Sequence, residues 1–595
     1  MITTPELIVV GIIIGLFVLI FGTRLKIEII ALMVLLSVTL VGLVSPEEAI
    51  SGFGSSVVLT LLGLFVITHA LERTGVVQWI ANQLNRVGQG SEIKLITLFM
   101  IAGATLSLIM NNVAAGAVLL PAAVRVARDS DVPVSKLLMP MSFGTLVGGM
   151  ATYLTTANIL MSELLISRDF EGLTMLSFLP VGGIVVIAGI LYMLVVGRAL
   201  LPLTSTTDKS KTHTDLKDMY QLQRNEWHIK VHADSELADK TIKECAINAK
   251  LGLTIAAIWR KNETITIPKS DQVIYPGDEL LVIGQEERVE DLIKWGNSMV
   301  AEVAPRRNAL PVEPIEIMIA PRSNAEGKTL SEMTLNREAG LLALALWRDG
   351  ESFINDVRKI PLQVGDAVLV VGEASDIQAL YDHPDYILPA GNYSNRALNT
   401  KKAPLAIIIT AIVLTAGILN LVSLPIAMIA GAVAMVVTGC ISTEQFYDAI
   451  SWRVIFLVAG MLPLSFAITE SGLAERIGSL FVAVLADTNP IFLVAGMIIL
   501  TMFVVQIIGG QVSALLVGPI AINAALQVGI DPRAMAIAVA MACSMAFLTP
   551  IAHPVNILMM GPGNYTFGDF TKVGIGMTIV TMIAMLFGLK LLWGV

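Results

Sequence analysis

Charged side chains are scarce in this chain of 595 residues: Asp, Glu, Lys and Arg make up 15% of it, while 55% of residues are hydrophobic. An ordinary soluble domain carries roughly 25% charge, so a purely aqueous globular fold is excluded. The basic residues are spread over loops and a central segment rather than massed on one face, and the net charge is −9, which excludes a nucleic-acid partner. Cysteine is nearly absent. Cys245, Cys440 and Cys543 lie too far apart to suggest a metal cluster, and the last two sit in apolar segments where a thiol acts as a small hydrophobe. No nucleophile–base arrangement and no phosphate loop appears, which argues against an enzyme. The N-terminus lacks a basic n-region and a small-residue cleavage site, so Leu7 to Phe21 reads as a retained first span.

What the chain has in abundance is apolar runs of membrane-crossing length, which take about 20 residues each. They predict spans near 6–22, 27–44, 56–71, 137–166 and 172–199. Residues 94–127 are too polar in the middle, at Met110-Asn111-Asn112, for two lipid-facing crossings and read as a re-entrant helical hairpin closed by Pro121. Residues 76–88 have the spacing of an amphipathic helix lying in the interface. After residue 400 the pattern recurs, with spans near 403–420, 423–440, 454–468, 532–560 and 571–593, an amphipathic piece at 474–485 and a hairpin near 489–527. Ala49-Ile50-Ser51 returns as Ala449-Ile450-Ser451, and Pro121 and Asn158 return as Pro519 and Asn556, both 398 residues on.

The fold class expected is therefore an α-helical polytopic membrane protein built of two five-span halves, residues 1–204 and 399–595, each with a re-entrant hairpin. An odd number of crossings per half makes the second copy inverted, the plan of secondary transporters. Arg24, Lys26, Arg73, Arg86, Lys94, Arg125, Arg128 and Lys136 fall on one side and little beyond Arg168 on the other. The positive-inside rule then places the N-terminus outside and the central insert in the cytoplasm of a multi-pass inner- or plasma-membrane protein surrounded by lipid.

Residues 205–398 change character, with frequent charges and short alternating strands, and are themselves duplicated as tandem α/β modules at 205–304 and 305–398. Lys240-Thr241 recurs as Lys328-Thr329, Trp259-Arg260 as Trp347-Arg348, and Gly277-Asp278 as Gly365-Asp366, each 88 residues on. With Ser235, Leu237, Lys240 and Thr241 in the first copy and the Gly-Asp turn before an alternating strand, these modules resemble the TrkA-C ligand-binding domains of potassium-conductance regulators. That resemblance implies pairing between subunits and either a regulatory nucleotide or other small ligand, or a docking scaffold without one.

The candidate transport residues lie at the breaks. The first half has Ser107, Asn111, Asn112 and Val113 at its hairpin, then Gly148, Gly149, Thr152, Thr155, Thr156 and Asn158; the second has Gly509, Gly510, Gln511 and Ser513, then Thr549, Pro550, His553, Pro554 and Asn556. A helix broken in the membrane exposes amide N–H groups at one half-helix start and carbonyls at the other end, so anion and hard cation can be held together. Ser, Thr and Asn oxygens suit sodium. Neither hairpin tip carries Lys or Arg, which leaves helix N-termini and bound cations to neutralise an anion. Gly148, Gly149 and Ser513 equally suit helix packing, and His553 reads either as a proton carrier or as a structural hydrogen-bonded residue.

At Asn112 to Pro121, Leu548 to Asn556 and Gly561-Pro562-Gly563-x-Tyr565-x-Phe567, the chain resembles the divalent-anion:sodium symporter family, which carries sulfate or dicarboxylates. The resemblance implies a homodimer, an elevator movement of the hairpin-bearing domain, and sodium as the coupling ion. It places substrate at Asn111, Asn112, Val113, Thr155, Thr156, Asn158, Gly510, Gln511, Ser513, Thr549, Pro550 and Asn556. Sodium falls to Ser107, Asn111, Asn112, Gly148 and Gly149. The family's paired Ser-Asn-Thr motifs align with Asn111-Asn112-Val113 and Gly509-Gly510-Gln511, of which only Asn112 is retained. The second-half equivalents of the first sodium set, Val505, Gly509 and Gly510, offer no side-chain oxygen. One well-formed sodium site, with a weak or missing second site or a proton taken up elsewhere, is the expectation. Alternatives are an amino-acid exchanger of the aspartate:alanine type, which also inserts two TrkA-C modules, and a potassium-related cation transporter. A channel of that kind would need a repeated filter such as Thr-Val-Gly-Tyr-Gly, which is absent.

Overall fold

The structure, a computed structural model, describes residues 3–595 except 24, 78, 81–82, 84–90, 131, 203–224, 261–262, 297–298, 301–313, 320–322, 331, 334–340, 349–350, 364, 373–376, 378–379, 381–384, 388–398, 420 and 486–488. Arg24 and most of the interfacial helix expected at 76–88 lie outside the described residues. The chain divides into two compact units, one of Met1–Thr204 with Tyr393–Val595 and one of Ser205–Asn392.

Among the described residues the elements of the first unit are all helical. Its N-terminal part runs α1 (Thr4–Gly22), α2 (Ile27–Leu40), α3 (Pro46–Ser51), α4 (Ser56–Arg73), α5 (Glu92–Ser107), α6 (Asn112–Asp129), α7 (Leu138–Met150), α8 (Thr156–Ile166) and α9 (Leu179–Tyr192). Its C-terminal part runs α10 (Ala403–Ile418), α11 (Leu424–Val437), α12 (Thr443–Ala449), α13 (Trp452–Glu470), α14 (Leu473–Leu485), α15 (Pro490–Ile508), α16 (Gly510–Val528), α17 (Pro532–Ala542), α18 (Pro554–Gly563) and α19 (Phe567–Trp593). Starts are written locally. Thr3 caps α1 and Glu6 bonds back to it, Ser45 and Glu48 do the same for α3, and Ser442 and Gln445 for α12.

Among the described residues eight helical stretches are long and apolar enough to cross a membrane: Thr4–Gly22, Pro46–Arg73, Leu179–Leu200, Thr400–Ile418, Trp452–Glu470, Pro490–Ile508, Gly510–Val528 and Phe567–Trp593. The set differs from the spans read off the sequence. Both arms of the second hairpin qualify, while α7, α8, α17 and α18 are each too short because their runs are interrupted midway.

Packing repeats with the two parts exchanged. Helix α2 lies along α13 and α4 along α11; α6 lies against α18 and α16 against α8. Small residues permit these approaches: a Cβ on Gly63 would fall 2.5 Å from the backbone of Met428, and one on Gly460 would fall 2.9 Å from that of Ala31. Helix α5 packs on α7 across Gly144 and Gly148, where added methyls would meet the backbones of Met100 and Ala104 at 2.6 and 2.4 Å. This seam fixes the hairpin to the broken helix beneath it.

The second unit holds two five-stranded antiparallel sheets and a two-stranded one, β2 (Lys240–Thr241) with β5 (Val273–Ile274). In the first the order is β4-β3-β6-β1-β7, from β1 (Glu226–Lys230), β3 (Thr254–Arg260), β4 (Glu263–Thr266), β6 (Glu279–Ile283) and β7 (Met299–Val300). The second sheet repeats it as β10-β9-β11-β8-β12, from β8 (Ile315–Ile319), β9 (Leu342–Arg348), β10 (Glu351–Phe353), β11 (Ala367–Val371) and β12 (Tyr386–Ile387). Side chains repeat as faithfully. Arg260 grips Asp278 with Nε and Nη2 at 2.9 and 2.8 Å, and Arg348 grips Asp366 at 2.7 and 2.6 Å. Glu244 and Glu332 close capping boxes on Thr241 and Thr329, whose backbone N–H bonds hold both carboxyls below the ordinary range.

One face of the first sheet meets one face of the second, through Ala257, Leu281 and Ile283 on one side and Leu344, Ala345 and Leu369 on the other. The two modules thus pair inside a single chain. The Asp278 and Asp366 side chains are 2% exposed, so removing either arginine leaves a buried carboxylate held only by the backbone N–H of Tyr275 or Gln363. Arg260→Ala and Arg348→Ala are each expected to cost the insert about 2–3 kcal/mol, the loss of hydrogen bonds to a charged group. Calorimetry on the full-length chain should show a lowered transition for the insert alone.

Candidate functional site

The first hairpin and the first broken helix meet at their interruptions. Helix α5 stops at Ser107 and α6 starts at Asn112, leaving a four-residue turn; α7 stops at Met150 and α8 starts at Thr156. Thr152 donates from Oγ1 to the Leu108 carbonyl at 2.9 Å, stitching turn to break. The Asn112 side chain lies directly over Gly149, where a Cβ would sit 2.8 Å from Oδ1 and 3.1 Å from Nδ2. Asn158, fully buried, donates from Nδ2 to the carbonyls of Gly149 and Thr152, tying the loop across the break.

Four buried oxygens around this junction have no hydrogen-bond partner: Ser107 Oγ, Asn112 Oδ1, Thr155 Oγ1 and Asn158 Oδ1. A buried unpaired polar atom costs about 1–3 kcal/mol, so four together at one junction call for an explanation. All can accept, which is what a hard cation needs. Asn111 is placed differently from the rest. It is exposed, and its Oδ1 accepts from the Ala114 N–H at 2.8 Å, capping α6. Val113 and Thr156 occupy the first turns of α6 and α8 and are half-buried.

The corresponding junction in the C-terminal part is closed. Gly509, at φ +83°, turns the second hairpin in a single residue between α15 and α16, a conformation suited to glycine. Gly510 starts α16 against the Cys543 carbonyl, which a Cβ would approach to 2.8 Å. Ser513 donates to the Gly509 carbonyl at 2.7 Å within its own helix. Asn556 donates to the Ala546 carbonyl at 2.7 Å and accepts from Ser142 Oγ at 2.5 Å, so both ends of its amide are used. His553 caps α18 by accepting from the Val555 N–H at Nδ1, 3.3 Å away, a structural role. Pro550 is buried in the 3₁₀ turn Pro550–Ala552. Gln511 is half-buried one residue into α16.

One participant is missing from the sequence reading. Gln506, half-buried in the last turn of α15, donates from Nε2 to the Met545 carbonyl at 3.1 Å and accepts from Thr549 Oγ1 at 3.4 Å. The only signal for it in the sequence is a polar residue inside an apolar helix end. No unpartnered buried side-chain atom falls between residues 505 and 556.

Half-helix N-termini of α6, α8, α16 and α18 all open at these breaks, and no Lys or Arg occurs in 107–113, 148–158, 505–513 or 545–556. Apolar helices interrupted in pairs, with buried oxygens and no fixed cation at the breaks, have the architecture of a membrane transport protein. Residues 17–540 match the citrate transporter family, and the chain belongs to that family. It is 29% identical over 587 residues to an uncharacterized transporter of Synechocystis, covering 96% of this chain and 94% of that one. It is 23% identical over 355 residues to sodium/sulfate cotransporter 2 of Chlamydomonas reinhardtii, covering 55% of this chain and 38% of that one. Among solved structures, the YdaH transporter of Alcanivorax borkumensis aligns over 100% of this chain and 98% of its own at 14% identity, with a TM-score of only 0.44.

Proposed function

We propose that the protein is a secondary active transporter coupling sodium to the symport of a divalent anion, sulfate or a di- or tricarboxylate. The observation that carries this is the set of four unpartnered oxygens of Ser107, Asn112, Thr155 and Asn158, buried where two helices are interrupted. A sodium ion held there would supply the positive charge that the side chains lack, and the N-termini of α6 and α8 would face the anion beside it. The second junction contributes Gly510, Gln511, Thr549 and the α18 terminus to the anion alone. The family's name, citrate transporter, and a sodium/sulfate cotransporter among the relatives support the same substrate class.

The two parts of the helical unit are read as an inverted repeat with re-entrant hairpins, working as a homodimer by an elevator movement. Their helix order and exchanged packing support that reading. The paired modules are read as a cytoplasmic TrkA-C regulator that answers to a small ligand such as a nucleotide.

Uptake of radiolabelled sulfate, succinate, citrate and aspartate into proteoliposomes tests the substrate class. Sodium-gradient-driven accumulation of sulfate or of a di- or tricarboxylate is expected. Aspartate exchange indifferent to sodium would instead favour the amino-acid exchanger. Removing residues 210–395 and rejoining the ends with a flexible linker is expected to leave sodium-driven uptake measurable but altered in its regulation. Complete loss in a well-folded deletion would make the insert part of the transport machinery.

A further inference from the structure

Position 506 corresponds, at the internal offset of 398, to Leu108 in the first half. There the Leu108 backbone carbonyl accepts from Thr152, and the surrounding oxygens of Ser107 and Asn112 stay unpaired. In the second half the side chain at this position does the joining. Gln506 reaches from the end of α15 to the Met545 carbonyl in the segment that follows α17, and to Thr549 just before α18. A carbonyl accepts only, so the amide nitrogen must face Met545 and the amide oxygen must face the Thr549 hydroxyl. A cation at such a junction would be held by carbonyls of this kind; the amide N–H is a tethered, neutral donor offered to the same type of group.

We propose that Gln506 replaces a second coupling cation: its amide closes the second hairpin onto its broken helix without an ion and so limits coupling to one sodium per cycle. This rests on the sodium-symport reading and deepens it, by assigning the ion count to one residue. Three further features agree. Val505 stands where Ser107 stands in the first half, Gly510 stands where Asn112 stands, and the Asn556 amide is fully occupied by Ala546 and Ser142. No buried side-chain atom at this junction lacks a partner, and Gln506 is the side chain that joins its hairpin to the two segments of the break, at Met545 and Thr549.

The test uses full-length protein and two readouts: sodium dependence of uptake in proteoliposomes, and melting temperature against sodium in detergent. The wild type is expected to show a Hill coefficient of about 1, because cooperativity cannot exceed the number of sites. Gln506→Glu replaces the donor by an acceptor and exposes the Met545 carbonyl to an ion, so its coefficient should rise toward about 2 and its stabilisation by sodium should steepen. Gln506→Leu keeps the size and removes both bonds; uptake should fall roughly tenfold or more with the half-saturating sodium little changed. If Gln506→Glu folds and keeps the wild-type sodium dependence, or if Gln506→Leu transports normally, the proposal is overturned. A steep sodium dependence in the wild type overturns it as well. A wild type whose uptake and melting temperature both ignore sodium would sink the sodium-symport reading itself, an outcome distinct from the others.

Discussion

Asn112→Ala should abolish measurable uptake in proteoliposomes while the protein still purifies as a folded, monodisperse species. Asn112 is 8% exposed, yet its Oδ1 makes no hydrogen bond within the protein, so truncation leaves no partner stranded and removes no internal bond. On the proposed reading, what it removes is a ligand. An interaction with a charged guest is worth about 1.5–3 kcal/mol, which corresponds to roughly 10- to 150-fold in affinity. Gly149→Ala supplies an independent route to the same phenotype, because its Cβ would press on Asn112 Oδ1 at 2.8 Å and turn the amide aside. That neighbour is a flexible side-chain end, so the fold should survive. Gly148→Ala is the contrasting control: its Cβ would meet the Ala104 backbone at 2.4 Å, forcing hairpin and helix apart and lowering stability. Wild-type uptake in Asn112→Ala would remove this residue from the site.

The second large effect is on the coupling ion. Ser107→Ala is expected to raise the half-saturating sodium concentration by roughly tenfold, the scale of one lost oxygen ligand. Ser513→Ala should leave it nearly unchanged, since Ser513 Oγ is already spent on the Gly509 carbonyl one turn back. The two serines are a fair comparison, being 1% and 0% exposed and each at a hairpin, yet only Ser107 Oγ lacks a partner. Equal effects from both substitutions, or two equally occupied cation densities related by the internal repeat, would show that the second junction also binds sodium.

Much of the helical unit could be read from residue order. The apolar runs and the polar residues set inside them at 107–112 and 151–158 mark where helices stop, because a polar or kinked backbone is tolerated at membrane depth only when something else satisfies it. The structure ends α5 at Ser107 and starts α6 at Asn112 and α8 at Thr156. The tandem modules were legible for a similar reason: the Arg260–Asp278 and Arg348–Asp366 pairs and the Thr241 and Thr329 caps are local in sequence. Asn111 was less legible. Its spacing suits a ligand, but whether an Asn caps its own helix or faces a guest depends on one side-chain rotation that sequence does not record.

Sequence by itself therefore determined a membrane transporter with a duplicated insert and two junctions of interrupted helices, since these follow from hydropathy, breaker residues and repeats within short windows. Only the tertiary structure decided which junction carries unpaired buried oxygens. Asn158 and Asn556 are equivalent by the repeat, yet the oxygen of one is unpaired and that of the other accepts from Ser142, 414 residues away. By the same repeat, Ala540 stands where Ser142 would have to stand to serve Asn158. The difference lies in partners contributed by the opposite part of the chain, and in a Gln506 amide whose targets, Met545 and Thr549, lie 39 and 43 residues on. Hydrogen-bond satisfaction is a property of atoms brought together in space, and no local pattern encodes it.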